Sequence, residues 1–274
     1  MSIIDLYDLF IHNPQITTDS RNCPKGSIFF ALKGDKFDGN QYAGKALASG
    51  CVYAVIDNPD YYIGERTILV DNVLKTLQQL AHHHRKVLGL PIIGITGTNG
   101  KTTTTTLLGE IMKAYQDDVF VVGNIGNPYT VAADLMTEHS IAVAEMSSFQ
   151  LESIVSFRPN VSAILNYTPD HLNRHHTMEA YIAAKENIAR NQTEDDYCIL
   201  NYEEPVMRKF AETLKCRVLF FSSQHKLEKG IYLDNDKIIY KNPDEIDVCH
   251  VDELQILGIH NYENVMAAVC MAAV

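Results

Sequence analysis

One stretch constrains this chain more than any other: Ile92-Ile93-Gly94-Ile95-Thr96-Gly97-Thr98-Asn99-Gly100-Lys101-Thr102-Thr103. A short apolar run ends in a glycine-rich turn, and Lys-Thr then opens a helix-compatible segment. Strand, loop and helix in that order can cradle a nucleoside triphosphate. The glycines let backbone N–H groups curl around phosphate oxygens, Lys101 brings a mobile positive charge, and Thr102 offers a hydroxyl to Mg²⁺. The strict motif has a glycine five places before Gly100, where this chain has Ile95, so the match is to a variant loop, Gly97-Thr98-Asn99-Gly100-Lys101-Thr102. An ordinary glycine turn would explain the glycines, but not the Lys-Thr pair set between a strand and a helix pattern.

At 274 residues the chain has room for about two domains, and Gly89 marks the expected boundary. Within 1–88, strands are predicted over 27–32, 53–56 and 67–70, with helices over 41–49 (closed by Gly50) and 73–88. From residue 89 onward strands (92–96, 119–122, 141–144, 161–165, 198–200, 218–221) alternate with helices (102–115, 178–190, 206–214). A hairpin follows over 230–240, and Asn261 is read as the cap of a last helix over 262–274. That alternation predicts an α/β fold: a small N-terminal α/β domain, then a P-loop-type domain with a mostly parallel sheet flanked by helices. His82-His83-His84, inside a helical pattern, reads as a solvated helix face and not a metal cluster.

Hydrophobic residues make up 46% and charged residues 21% of the chain, the balance of a soluble globular protein. A net charge of −11 argues against a general binder of nucleic acid or anionic membrane. No apolar run approaches spanning length, and the first residues lack the apolar core of a signal peptide. The six cysteines are scattered without a C-x-x-C pair, favouring reduced thiols. A cytoplasmic, monomeric protein is expected.

Further groups fall where a phosphate site would use them. Glu145 follows the apolar strand 141–144, and Asp170 and His171 follow the strand 161–165. In a parallel sheet ligands bind at the C-terminal strand edge, from which the glycine loop also leaves, so Lys101, Glu145 and His171 can converge there. A carboxylate at that edge would hold Mg²⁺ directly or through water. Lys185 is four residues after Tyr181 and three before Ile188, which puts it on the apolar stripe of its helix. Such a lysine either snorkels or is a partly buried amine, its charged form disfavoured. An uncharged amine can take up CO₂ as a carbamate, an anion able to ligate Mg²⁺.

Gly97-Thr98-Asn99-Gly100-Lys101-Thr102, Gly123-Asn124-Ile125-Gly126, Glu145 with Ser147-Ser148-Phe149-Gln150-Leu151, Thr168-Pro169-Asp170-His171 and Tyr181 to Lys185 together resemble the Mur ligase family of peptidoglycan synthesis. Residues from about 91 onward are most similar to its D-glutamate-adding branch. The resemblance implies an ATP-dependent ligase that phosphorylates a carboxylate of a UDP-N-acetylmuramoyl substrate and lets an amino-acid or dipeptide amine attack the acyl phosphate. It implies that Gly97, Thr98, Asn99, Gly100, Lys101, Thr102 and Thr103 hold the phosphates, with Asn261 and Asn264 near the adenine. Thr102 and Glu145 would bind one Mg²⁺, and His171 with carbamylated Lys185 a second. Lys101, Glu145, His171 and Lys185 would form the catalytic set, and Asn124 would lie near the acyl phosphate.

The first domain departs from that branch. Thr18-Asp19-Ser20-Arg21, the segment 27–32, Gly34-Asp35-Lys36-Phe37-Asp38-Gly39 and the segment 50–55 resemble the UDP-binding domain of the D-Ala-D-Ala-adding branch. Thr18, Ser20, Arg21, Asp38 and Gly39 are the substrate-contacting residues this implies. The chain thus reads as two branches joined near the glycine loop, as in a recombinant or designed chimera, and without the family's third, C-terminal domain. The expected activity is D-glutamate addition, with D-Ala-D-Ala addition to a UDP-tripeptide as the second reading. A catalytically silent nucleotide-binding module is a third. A generic P-loop hydrolase would account for Lys101 but not for Lys185.

Overall fold

Helix α1 (Ile3–His12) opens on a capping box, in which Ser2 Oγ accepts from Asp5 N while the Asp5 carboxylate accepts from Ser2 N. The computed structural model describes residues 1–34 and 37–274, so Asp35 and Lys36 of the expected substrate segment lie outside the described residues. The chain divides into two compact units, Met1–Gly89 and Leu90–Val274.

In the first unit, strands β1 (Ile16–Thr17) and β2 (Ile28–Phe30) pair in parallel. A short antiparallel ribbon, β3 (Lys33–Gly34) against β4 (Phe37–Asp38), leads through a 3₁₀ turn into α2 (Ala43–Ala48). Strands β5 (Tyr53–Ile56) and β6 (Thr67–Leu69) complete a parallel sheet ordered β1-β2-β5-β6, and α3 (Val73–Leu88) closes the unit. Ile28, Phe30 and Val55 meet Leu6, Tyr7 and Phe10 of α1 and Val73 and Leu80 of α3 in one core.

The histidines of α3 correct the expectation of a solvated face. His84 Nδ1 lies 3.1 Å from Tyr7 Oη, the His83 ring meets the Tyr7 ring edge-on at 4.6 Å, and Phe10 packs on His84 at 5.0 Å. Without α1 in view, the periodicity of α3 alone could not place these rings against a partner helix.

In the second unit, all residues of β7 (Ile92–Thr96) are buried, as a central parallel strand requires. Helix α4 (Lys101–Tyr115) returns to β8 (Val119–Gly123), the single turn α5 (Tyr129–Ala132) precedes β9 (Ile141–Glu145), and α6 (Ser148–Glu152) begins on a Ser147/Gln150 capping box. Strand β10 (Val161–Ile164) leads through the turn α7 (Leu172–His175) to α8 (Met178–Glu186). Then come β11 (Tyr197–Asn201), α9 (Pro205–Ala211), β12 (Arg217–Ser222), β13 (Gly230–Asp234), β14 (Lys237–Lys241), β15 (Glu245–His250) and α10 (Ile259–Ala272).

The sheet order is β15-β14-β13-β12-β11-β10-β7-β9-β8, parallel from β8 to β13 and antiparallel where β14 and β15 fold back. This is the mixed α/β, mostly parallel architecture expected from the sequence. Helix α10 lays Val265, Met266, Ala268 and Met271 into the same core as Ile93, Ile95 and Leu108.

Asn261 is not the cap of α10: Gly258, at φ 98°, holds that position, and the helix starts at Ile259. A glycine cap leaves no side-chain signature, whereas an asparagine does. Among the described residues no helix is long and apolar enough to cross a membrane.

Candidate active site

Strand β7 delivers the loop 97–100 at its C-terminal end, and α4 begins immediately after. The first i→i−4 bond of α4 runs from Thr104 N to Gly100 O, so the amides of Lys101, Thr102 and Thr103 precede the helical ladder, as in any helix start. An anion gains from those amides and from the helix dipole. Gly100 sits at φ 79°, and a Cβ there would stand 2.2 Å from Asn264 Oδ1. Only glycine allows the loop this close to α10.

Asn166, next to the end of β10, clamps the loop. Its Oδ1 accepts from Thr98 N (3.1 Å) and Asn99 N (2.8 Å), and its Nδ2 donates to Asn99 O (3.1 Å). Thr98 Oγ1 donates to Thr168 O at 3.1 Å and lies 3.0 Å from Tyr181 Oη on α8. The sequence reading missed Asn166, although the strand-edge rule that selected Glu145 also reaches it.

Two lysines meet at one carbonyl. Lys101 Nζ donates to Gly97 O (3.0 Å) and Thr98 O (2.9 Å), and Lys185 Nζ donates to the same Gly97 O at 2.6 Å. Lys185 is only 2% exposed, with its ammonium 4.6 Å from the centre of the Tyr181 ring. Burial, reinforced by the Lys101 charge, brings its pKa down to about 7, and Asp170 opposes this. Burial also lowers Lys101, against the pull of Glu145 and Asp170. The apolar-stripe position of Lys185 thus corresponds to a buried amine and not to a snorkelling one.

Glu145, at the end of β9, is buried. Its Oε2 accepts from Thr102 Oγ1 at 2.9 Å and its Oε1 from Asn124 Nδ2 at 3.0 Å. Asn124 follows Gly123, which sits at φ 99° and where a Cβ would stand 2.2 Å from Glu145 O, so only glycine lets β8 end there. Thr102, Asn124 and Glu145, far apart in sequence, therefore form one cluster.

His171 stands apart from Lys185 in its contacts. Its Nε2 faces Asp170 Oδ2 at 3.4 Å, and its ring packs on Phe149 at 4.9 Å. Phe149 also stacks on the ring of His175 at 5.5 Å. Buried His175, unremarked in the sequence, is held by Ser148 Oγ (3.0 Å) and Glu152 Oε1 (3.0 Å). Among the described residues no group of three or more His, Cys, Asp or Glu side chains is placed to hold a metal.

Asn261 and Asn264 share a cleft of about 430 Å³ with Asn99, Gly100, Thr103 and Asn166. Asn264 Oδ1 accepts from Thr104 Oγ1 at 3.2 Å, and Asn261 Oδ1 accepts from Asn264 Nδ2 at 3.3 Å.

In the first unit, the exposed Arg21 guanidinium pairs with Asp19 at 2.8 Å, and this contact lowers the Asp19 carboxyl to about 2. Thr18 is exposed and Ser20 half-buried beside it. Asp38 Oδ1 accepts from the backbone and side chain of Asn40, which also bonds Asp57, the partner of Lys33. Gly39 lies under this network, its N donating to Leu32 O at 3.0 Å. Buried Asn40 and half-buried Asp57 tie this segment together and were not singled out from sequence.

Two family models match. The Mur ligase middle domain covers residues 95–272, and the Mur ligase family, catalytic domain, covers residues 12–85. UDP-N-acetylmuramoylalanine–D-glutamate ligase of Lachnoclostridium phytofermentans is 62% identical over 182 residues, 66% of this chain and 40% of that protein. The enzyme of that name from Clostridioides difficile is 53% identical over the same shares. This chain therefore spans about two fifths of the length of these relatives.

Among solved structures, a MurF crystal structure from Acinetobacter baumannii matches 94% of this chain and 58% of its own, with a TM-score of 0.72 and 25% identity. The MurF ligase of Thermotoga maritima, in complex with ADP, matches 97% of this chain and 64% of its own, with a TM-score of 0.72 at 21% identity.

Proposed function

The chain belongs to the Mur ligase family, and we propose that it carries the precursor-binding and nucleotide-binding portions of an ATP-dependent ligase that joins an amino acid to a UDP-N-acetylmuramoyl precursor. The reading nearest its curated relatives is addition of D-glutamate to UDP-N-acetylmuramoyl-L-alanine. In that chemistry the γ-phosphoryl group passes to the precursor carboxylate. The amine then displaces phosphate, leaving an amide, ADP and inorganic phosphate. The observation that carries this reading is buried Glu145, held by Thr102 and Asn124 beside a loop to whose Gly97 carbonyl two lysines donate.

Each of these residues has a task. Lys101 exchanges Gly97 O and Thr98 O for β- and γ-phosphate oxygens, while the amides of 100–103 hold the phosphates from below. Asn99, Thr98 and Gly97 shape that cradle. Thr102 and Glu145 fit one Mg²⁺: a hydroxyl and a buried anionic oxygen are hard donors, and Mg²⁺ takes its other ligands from phosphate and water. A Mg²⁺ held by these two side chains would supply positive charge to the transferring phosphoryl group.

Lys185, its charged form weakened by burial, can add CO₂ at Nζ with loss of a proton, and with His171 is the proposed holder of a second Mg²⁺. Asn124 faces the acyl-phosphate end, and Asn261 and Asn264 face the adenine. In the first unit Thr18, Ser20, Arg21, Asp38 and Gly39 are proposed to contact the UDP-sugar. We place the protein in the cytoplasm, as a monomer.

One observation favours a second reading, D-Ala-D-Ala addition: the Acinetobacter baumannii MurF structure is similar across both units, over 94% of the chain. Calorimetric titration of the chain with each UDP-precursor, in Mg²⁺ and a non-hydrolysable ATP analogue, separates the two. Binding of UDP-N-acetylmuramoyl-L-alanine supports the first reading, and binding of the UDP-tripeptide alone supports the second. Binding of both ligands with no ADP release on adding ATP and the amino acid would mark a silent module. Failure to bind either precursor or the analogue would refute the ligase reading.

A further inference from the structure

The cleft beside the phosphate loop contains a carboxylate to which the reading above gives no task. Glu263, on α10 between Asn261 and Asn264, lines the same cleft. Its Oε1 accepts from Ser223 Oγ, just after β12, at 2.6 Å. That bond holds one oxygen of the side chain and leaves Oε2 to accept from a ligand. Burial pushes the Glu263 carboxyl up. The Ser223 bond opposes this, Glu203 and Glu204 add to it, and His260 opposes it. A partly desolvated oxygen in such surroundings gains more from an incoming N–H than it would in water.

We infer that Glu263 sets base specificity, its second oxygen accepting the exocyclic amino group of a 6-aminopurine seated against Asn261 and Asn264. The inference deepens the nucleotide reading and rests on it. The cleft is lined by Gly100 and Thr103, where a triphosphate would start, together with Asn261, Glu263 and Asn264 of α10. Adenine presents an N–H donor at its 6-position, whereas guanine presents a carbonyl oxygen. Two acceptors facing each other out of water exclude one another. Guanine could instead turn its N1–H and N2–H edge to a carboxylate. That pairing needs both oxygens in one fixed orientation, and the Ser223 hydroxyl competes for one of them.

The test is calorimetric titration of the whole chain with Mg·ATP and Mg·GTP, with circular dichroism as the folding check. The wild type is expected to prefer ATP by about 10-fold or more. Glu263→Ala is expected to weaken ATP about 10-fold and, with the opposed acceptor gone, to leave GTP binding no weaker than in the wild type. Glu263→Gln, whose amide can turn an N–H toward the 6-oxygen, is expected to improve GTP binding. Equal loss of both nucleotides in Glu263→Ala, or an unchanged ratio, overturns the inference, as does equal binding of ATP and GTP by the wild type. Binding of neither nucleotide by the wild type overturns the nucleotide reading and this inference together.

Discussion

Lys185, Glu145 and Asn166 each bond a part of the second unit distant from them in sequence, whereas Thr17, Asp19 and Arg21 are bound within their own loop of the first. Lys185 crosses from α8 to the loop after β7, and Glu145 joins β9 to α4 and to the end of β8. Thr17 Oγ1, by contrast, donates to Asp19 O and Asn22 O, and Arg21 folds onto Asp19. The first arrangement is preorganised: its dipoles and charges are fixed before a ligand arrives, as phosphoryl transfer requires. The second keeps a guanidinium 83% exposed and free to exchange an intraloop partner for a ligand. Charge around the phosphate loop of the second unit is held by burial and cross-element bonds, and charge in the loop 17–21 of the first by solvent.

That contrast implies different responses to substitution. Lys101→Ala should have the largest effect, raising the Kd for Mg·ATP about 100-fold in a calorimetric titration while the fold persists. Asn166→Ala removes the side chain that holds Thr98 N, Asn99 N and Asn99 O. A loss of about 2–3 kcal/mol in denaturant unfolding is expected, with weaker nucleotide binding. Comparable stability of this variant and the wild type would show that the loop is not clamped in the way described.

Lys185 gives the pH signature. Its pKa falls from 10.5 in the unfolded chain to about 7 in the folded one, so between these values the unfolded state binds the extra proton. Stability therefore rises with pH through that window and is least below 7, where the buried amine must carry charge. From pH 7 to 9, in CO₂-free buffer, the gain should be about 2 kcal/mol, and Lys185→Met should abolish it. In buffer with carbon-13 bicarbonate, an NMR carbamate resonance that Lys185→Met lacks would place CO₂ on this amine.

Arg21→Ala should have the smallest structural effect, with a Tm indistinguishable from wild type, because its ion pair is exposed. It should still weaken UDP-precursor binding several-fold and leave Mg·ATP binding unchanged. A large drop in Tm would mean that the first unit's loop is as interlocked as the second's.

Much of the second unit was legible because its signals are local. Three isoleucines in a five-residue run, a glycine turn and Lys-Thr fix β7, the loop and the start of α4 with no long-range information. The strand-edge rule put Glu145 just after its strand, and the structure has it at the end of β9; helical periodicity put Lys185 on the apolar stripe and left a snorkelling amine open. What escaped depends on partners distant in the chain. Asn166 matters only because β10 lies beside β7, and His83 and His84 only because α1 covers them. The Ser2/Asp5 capping box of α1 was present in the sequence and went unread. The cap of α10 was misplaced onto Asn261 because Gly258 acts through backbone conformation alone. Glu263 gains a meaning only once Ser223, from another strand's end, is seen to occupy one of its oxygens.

The account stands on Glu145 serving, with Thr102, as a metal-assisted phosphate site next to the lysine loop. Titrating ATP into the wild type and into Glu145→Gln, each with and without Mg²⁺, tests this most directly. Mg²⁺ should tighten ATP binding at least about 10-fold in the wild type and leave it nearly unchanged in the variant. The same Mg²⁺ enhancement in both proteins would contradict the account.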